Sequence, residues 1–337
     1  MAAKKLIAYC LTENLSLMQE KDIKVLDSIH IAFGLIQDGE VYWKEEHGAA
    51  DIARIRGIHP EIRLVLSVGG WEADGFSQAA QTETGRKKWT CSVLDLVKKY
   101  GLDGIDVDWE YPCSDKAGIR AVPEDRENFT LLLKETREQL DRFFPGKTLS
   151  IAAGALKTYL EQTDMRAVAP LLDYVQLMTY DLCGEGDHVT GHHAGLFPYE
   201  KGAPNSDEII RLFVKAGVPF EKLVMGAAFY SREWQGVKEP GPGKPAQGTG
   251  EVHSYDEIVK SLESGQGNYR KFWDDEAKAA YLYNGSEYVT YEDGRALYYK
   301  SKYVKEHDMY GMMYWEYGQD RTFRLTGFLR EQLDSRF

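Results

Sequence analysis

Short runs rich in apolar and β-branched residues alternate with longer amphipathic stretches, and this alternation limits the fold more than any other feature. Strands are predicted at 6–9, 28–33, 63–68, 104–109, 148–153, 174–178, 223–229 and 311–315. Helical patterns lie between most of them, at 85–100, 127–144 and 207–216. A strand followed by a helix returns parallel to its predecessor, so the pattern predicts a parallel sheet covered by helices. Eight such units predict an α/β fold closed into a (β/α)8 TIM barrel.

A plain barrel takes ~250 residues, and this chain has 337. The surplus falls between the seventh and eighth strands. A small α+β subdomain over 232–295 is therefore expected between strand 7 and helix 7, with the barrel built from 1–231 and 296–337. Its expected pieces are a helix at 256–262 and strands at 280–283 and 288–290. The stretch Pro240-Gly241-Pro242-Gly243-Lys244-Pro245 lacks the spacing of a phosphate-binding loop and reads as a mobile connection.

A hydrophobic fraction of 43% is ample for a core, and 21 Tyr with 7 Trp allow stacking surfaces besides. The formal charge of −12 argues against nucleic acid and anionic membrane as partners. No apolar run approaches the length of a membrane-crossing helix. Too few residues precede the first strand for a signal peptide, so a cytoplasmic monomer is expected, or a secreted protein if a leader was removed. Cys10, Cys91, Cys113 and Cys183 have neither CxxC spacing nor a disulfide-dense pattern. They are expected as buried free thiols, which favour a reducing compartment.

The fourth strand carries the chemistry. Asp106, Asp108 and Glu110 fall at i, i+2 and i+4, separated by the apolar Ile105, Val107 and Trp109. In a strand the three acids share a face, roughly 6.5–7 Å apart in sequence. Acids so close in a shielded site cannot all ionise, so at least one is expected to hold its proton near neutral pH, as a general acid must. A solvated acidic edge strand would need a polar opposite face, and this one is apolar.

Catalytic residues of barrels gather at the C-terminal ends of the strands. There this chain places Ser67-Val68-Gly69-Gly70-Trp71, Glu110-Tyr111-Pro112, Met178-Thr179-Tyr180-Asp181, Phe229-Tyr230-Ser231-Arg232 and Tyr314-Trp315-Glu316. Aromatic rings edged with carboxylates suit a sugar, whose C–H faces stack on them. Asp103-x-x-Asp106-x-Asp108-x-Glu110 together with Ser67-x-Gly69-Gly70 resembles the signature of glycoside hydrolase family 18, the chitinase family. Met178-x-Tyr180-Asp181, Tyr230-x-Arg232 and Gly311-Met312-Met313-Tyr314-Trp315 follow in the order that resemblance implies, and the inserted segment resembles the chitinase insertion domain.

The resemblance implies a hydrolase acting on chitin or chitooligosaccharides without cofactor or metal, by a substrate-assisted retaining mechanism. Glu110 would protonate the glycosidic oxygen and later activate water. The 2-acetamido group would be the nucleophile, forming an oxazolinium ion. Asp108 would hold the acetamido N–H, Tyr180 its oxygen, and Trp315 would floor the −1 sugar. Asp106 would share a proton or hydrogen bond with Asp108, while Asp103 would support the strand and turn. Tyr9, Ser67, Gly70, Trp71, Tyr111, Met178, Asp181, Tyr230 and Arg232 would line the site, Arg232 being equally readable as a structural partner of a carboxylate. Two other readings use the same residues: an endo-β-N-acetylglucosaminidase acting on N-glycans, and a chitin-oligosaccharide-binding lectin. His188-x-x-x-His192-His193 has the spacing of a metal pair, but its glycines make it a loop with no completing ligand in the sequence.

Overall fold

The computed structural model describes residues 3–44 and 47–335. Eight parallel strands close into a barrel: β1 (Lys5–Leu11), β2 (Ser28–Gln37), β4 (Arg63–Gly69), β5 (Gly104–Asp108), β6 (Thr148–Gly154), β7 (Tyr174–Met178), β8 (Leu223–Ala228) and β14 (Gly311–Trp315). Closure comes from β1, which pairs with both β2 and β14. The expected (β/α)8 TIM barrel is the observed fold. Strand ends differ from expectation by a few residues, most at β2, which runs on and turns back into β3 (Glu40–Tyr42). Asp38 and Gly39 make that turn, both at positive φ, as a two-residue hairpin loop requires.

The predicted helices start one or two residues earlier than their apolar periodicity, and side-chain caps set several helix starts. Thr82 accepts from the Gly85 amide to start Glu83–Tyr100, which stops at Gly101 in the left-handed region. Asn205 caps Ser206–Lys215, and Asp293 caps Gly294–Glu306. In Asp125–Phe143 the buried residues Phe129, Leu132, Leu133, Thr136 and Leu140 form one stripe against the barrel.

Strand alternation produces two cores. Ile105, Val107 and Trp109 point outward into the layer between strands and helices, where the indole of Trp109 stacks on Phe76 at 5.2 Å. Ile7, Tyr9, Ala152, Tyr174, Met178, Tyr180, Val224, Ala228, Tyr230 and Met313 fill the barrel interior.

Between β8 and β14 lies a five-stranded antiparallel sheet of β9 (Arg232–Gln235), β10 (Gly248–Thr249), β11 (Arg270–Asp274), β12 (Ala279–Tyr283) and β13 (Glu287–Tyr291), ordered β10-β9-β13-β12-β11. Helix Tyr255–Ser264 opens with a capping box of Ser254 and Glu257. β9, β10 and β11 add to the two strands expected. The expected mobile connection is instead pinned. Thr190 donates to the Gly241 carbonyl at 2.8 Å and accepts from the Lys244 amide at 2.9 Å, and the Ala246 amide donates to His188 at 2.8 Å. Gly241 and Gly243, both at positive φ, give the chain the bends that let these backbone groups meet.

Candidate active site

Asp106 lies at the centre of the barrel interior, fully buried. Strand register sets Ser67, Asp106 and Ser150 side by side on β4, β5 and β6. Both serine hydroxyls donate to its carboxylate, at 2.8 and 2.7 Å, joined by the Tyr9 hydroxyl at 2.8 Å and the Gln176 amide at 3.1 Å. Burial pushes the carboxyl up, but the His30 ring and these hydroxyl donors outweigh it and hold Asp106 below the usual carboxylate range.

Asp108, two residues on, has the opposite fate. Burial, then the charges of Glu110 and Asp106, push it well above the ordinary value. Its Oδ1 is buried without a hydrogen-bond partner among the described residues. The expected hydrogen bond between Asp106 and Asp108 is not among those the described residues make. Same-face neighbours sit a pleat repeat apart, and four other donors occupy Asp106. The strand also ends at Asp108, one residue short of expectation, so Glu110 leaves the ladder at the mouth of the barrel. Burial raises Glu110 to about 7, opposed by the Tyr111 hydroxyl and reinforced by the charge of Asp181.

The backbone beneath these acids needs glycine. The Gly70 amide donates to the Asp108 carbonyl at 3.0 Å. A Cβ on Gly69, at φ +122°, would fall 2.0 Å from that same oxygen. A Cβ on Gly70 would strike the Phe33 ring.

Tyr180 and Tyr230 meet edge to face at 6.0 Å. Burial, then the charges of Asp108, Glu110 and Asp181, keep the Tyr180 hydroxyl protonated. Arg232 Nε donates to Asp181 at 2.7 Å and its guanidinium lies 5.7 Å from the Tyr230 ring centre. Burial raises the Asp181 carboxyl, but His193 and Arg232 overcome it and keep it ionised. Arg232 is thus a carboxylate partner, the second of its two sequence readings.

Trp315 is partly exposed at the end of β14, stacked on Phe33 at 5.5 Å and tilted against Tyr9 at 5.8 Å. Met178 is 9% exposed and packs with the interior cluster beside Tyr180. Tyr111 is partly exposed and meets Trp71 edge-on at 6.5 Å; Trp71 itself is 57% exposed. Tyr9 and Ser67, expected in the lining, are buried below it as supports for Asp106, because register puts them level with that carboxylate.

Asp103 lies at the opposite end of β5. It accepts from Arg56 at 2.6 Å, Lys147 at 3.1 Å and the Leu64 amide at 3.0 Å, clamping the bottom of the barrel. His192 bridges Asp274 at 3.0 Å and Tyr288 at 3.1 Å, tying its loop to the second sheet, while His193 faces Asp181 at 3.6 Å. Among the described residues no three His, Cys, Asp or Glu side chains converge as a metal site. Cys91 is exposed on its helix rather than buried, whereas Cys10 is buried as expected and Cys113 and Cys183 lie half-buried.

Sequence reasoning missed His30, Phe33, Ser150 and Gln176. Three of them carried a signal: a lone polar residue at an inward position of an apolar strand, as in Ile29-His30-Ile31, Leu149-Ser150-Ile151 and Val175-Gln176-Leu177.

The family model described as glycosyl hydrolases family 18 matches residues 6–320. The chain belongs to glycosyl hydrolase family 18. Chitinase A1 of Niallia circulans is 35% identical over 83% of this chain and 44% of its own length. Chitinase B of Serratia marcescens is 28% identical over 85% of this chain and 69% of its own. Several other curated relatives of this family 18 chain are likewise matched over little more than half their length. A family 18 N-acetylglucosaminidase from Paenibacillus barengoltzii superposes with TM-score 0.92 at 38% identity, covering 98% of this chain and 99% of that one. The Group IV chitinase of Ostrinia furnacalis in complex with allosamidin superposes with TM-score 0.87 at 27% identity over 98% of both chains.

Proposed function

We propose that the chain hydrolyses β-1,4-linked N-acetylglucosamine chains by a retaining mechanism in which the substrate's own 2-acetamido group is the nucleophile. The graded ionisation along one strand carries this reading: Asp106 stays charged, Asp108 is pushed strongly upward, and Glu110 rises to about 7. A carboxyl at about 7 gives up its proton to a leaving oxygen near neutral pH and then serves as base toward water. Asp108, buried and with one oxygen unpartnered, has acceptor capacity for an acetamido N–H. As positive charge grows on that group, its hydrogen bond to the Asp108 oxygen strengthens. The protonated Tyr180 hydroxyl faces the acetamido oxygen, and Trp315, braced by Phe33, supplies the apolar floor for the −1 sugar. Asp181, kept ionised by Arg232, adds the negative charge that helps Glu110 retain its proton.

This reading is tested by incubating the protein with N-acetylchitotetraose to -hexaose and, in parallel, with a high-mannose glycoprotein. Release of N-acetylglucosamine or di-N-acetylchitobiose from the oligosaccharides is expected. Glycan release alone, or binding without turnover, would overturn it. The second sheet at one side of the barrel supports a linear chain over a branched core, and the N-acetylglucosaminidase among the similar structures makes the size of the released product the informative readout.

A further inference from the structure

His30 is a buried titratable group that the scheme above leaves without a task. It sits inward on β2 with 0% exposure. Its Nδ1 lies 3.6 Å from Asp106 Oδ2 and 3.1 Å from the Gln176 amide nitrogen, and its Nε2 lies 3.0 Å from the Tyr174 hydroxyl. The groups facing it are Tyr9 from β1, ring centres 5.1 Å apart, Asp106 from β5, and Tyr174 and Gln176 from β7. Asp106 is the one carboxylate in that set, and no Lys or Arg belongs to it.

We propose that His30 is a positioning residue of the reaction, acting through Asp106, and that Tyr174 orients its ring. The four direct donors to Asp106 are neutral hydroxyls and an amide. The Gln176 amide nitrogen that donates to Asp106 at 3.1 Å also lies 3.1 Å from His30 Nδ1, so the imidazole holds that donor in place against the buried carboxylate. Tyr174 holds the far nitrogen of the ring. It is itself braced from below, stacked on Tyr310 at 4.8 Å beside a hollow of about 210 Å³ at the base of the barrel. A chain of polar groups thus runs from the catalytic mouth through Asp106, His30 and Tyr174 to the opposite end. With His30 in place, Asp106 remains a carboxylate behind Asp108 and favours positive charge on the sugar side. Without it, Asp106 takes up a proton at higher pH and that support is lost.

The kinetic part of this inference rests on the proposed hydrolysis; the ionisation part does not. The test uses His30→Asn, His30→Gln and Tyr174→Phe, each followed by two readouts. One is the ¹³C signal of the Asp106 carboxyl, in protein labelled at the aspartate carboxyl carbon. The other is the pH profile of kcat and KM on a chromogenic di-N-acetylchitobioside. The wild-type signal is expected to stay at its ionised position down to about pH 4. In both His30 variants it should move toward the protonated position about one pH unit earlier, with the acidic limb of kcat rising in step and KM changing less than about twofold. Tyr174→Phe, which keeps the ring and removes its anchor, should move both in the same direction by less. Folded His30 variants with an unmoved carboxyl signal would overturn the proposal, as would an unshifted Tyr174→Phe if the His30 variants do not fold. A wild-type protein that turns over no N-acetylchitooligosaccharide would defeat the proposed function, while the carboxyl signal would still decide the role of His30.

Discussion

In the proposed reaction Glu110 acts as an acid only while it holds its proton. Its value of about 7 places the basic limb of kcat/KM near neutrality: activity is present below that pH and falls as pH rises through it. A pH–rate profile flat across this range would contradict the assignment. Glu110→Gln cannot donate and should lose about 10²–10⁴ in kcat while oligosaccharide affinity, read by calorimetry, stays close to wild type. The acids themselves were legible in the sequence, because i, i+2 spacing with apolar residues between them is a local signal. What surrounds them was not. Ser150 and Gln176 reach Asp106 only after strands from distant parts of the chain align in register, and a single polar residue in an apolar strand does not say which group it will meet. The same register explains Ser67, which the resemblance placed in the lining and the structure buries against Asp106. Arg232 is the converse case: its 2.7 Å contact with Asp181 shows the carboxylate pairing, and its place in the cleft lining stays part of the proposed function.

At the scale of elements, β5 has a working face and a packing face. Trp109 on the packing face is 1% exposed, so Trp109→Ala should cost about 3–5 kcal/mol, measured by urea unfolding. A second joint links the inserted sheet to the barrel. Glu292, just past β13, accepts from the Ala228 amide at 2.7 Å and pairs with Lys300 at 2.8 Å, both side chains buried. Lys300→Met leaves that carboxylate unpaired and should destabilise by about 3–5 kcal/mol, with much of the loss recovered by adding Glu292→Gln. A single-variant loss below about 1 kcal/mol would show that the pair holds nothing together. The eight barrel strands were legible because each is largely buried on both faces and reads as a short, mostly apolar run broken at most by isolated inward polar residues. β3, β9, β10 and β11 were not. They are short or largely exposed, so the alternation that betrays a half-buried strand is missing from Arg270–Asp274 and its neighbours. The Asp38-Gly39 turn was the one readable sign of β3.

For the molecule as a whole, the site opposes stability. Glu110 and Asp108 bind their protons more tightly folded than unfolded. The stability they contribute is complete below pH ~4 and is lost as pH rises through their folded values. Glu110→Gln and Asp108→Asn should therefore raise Tm by about 2–5 °C at pH 8, and the gain should vanish near pH 4. Asp103 and Asp181 work the other way, held below their ordinary values, and stiffen the fold until acid protonates them. Asp103 clamps the bottom of the barrel and Asp181 the mouth, so the catalytic acids sit between two ionised anchors. The central claim is that the substrate supplies the nucleophile and Glu110 alone supplies the proton. It is tested most directly by measuring kcat on aryl di-N-acetylchitobiosides whose −1 acetamido group carries none, one, two or three fluorines. Each fluorine weakens the carbonyl oxygen as a nucleophile while leaving the leaving group unchanged. The account predicts a steep, monotonic fall in kcat along the series, and a kcat independent of fluorination would contradict it.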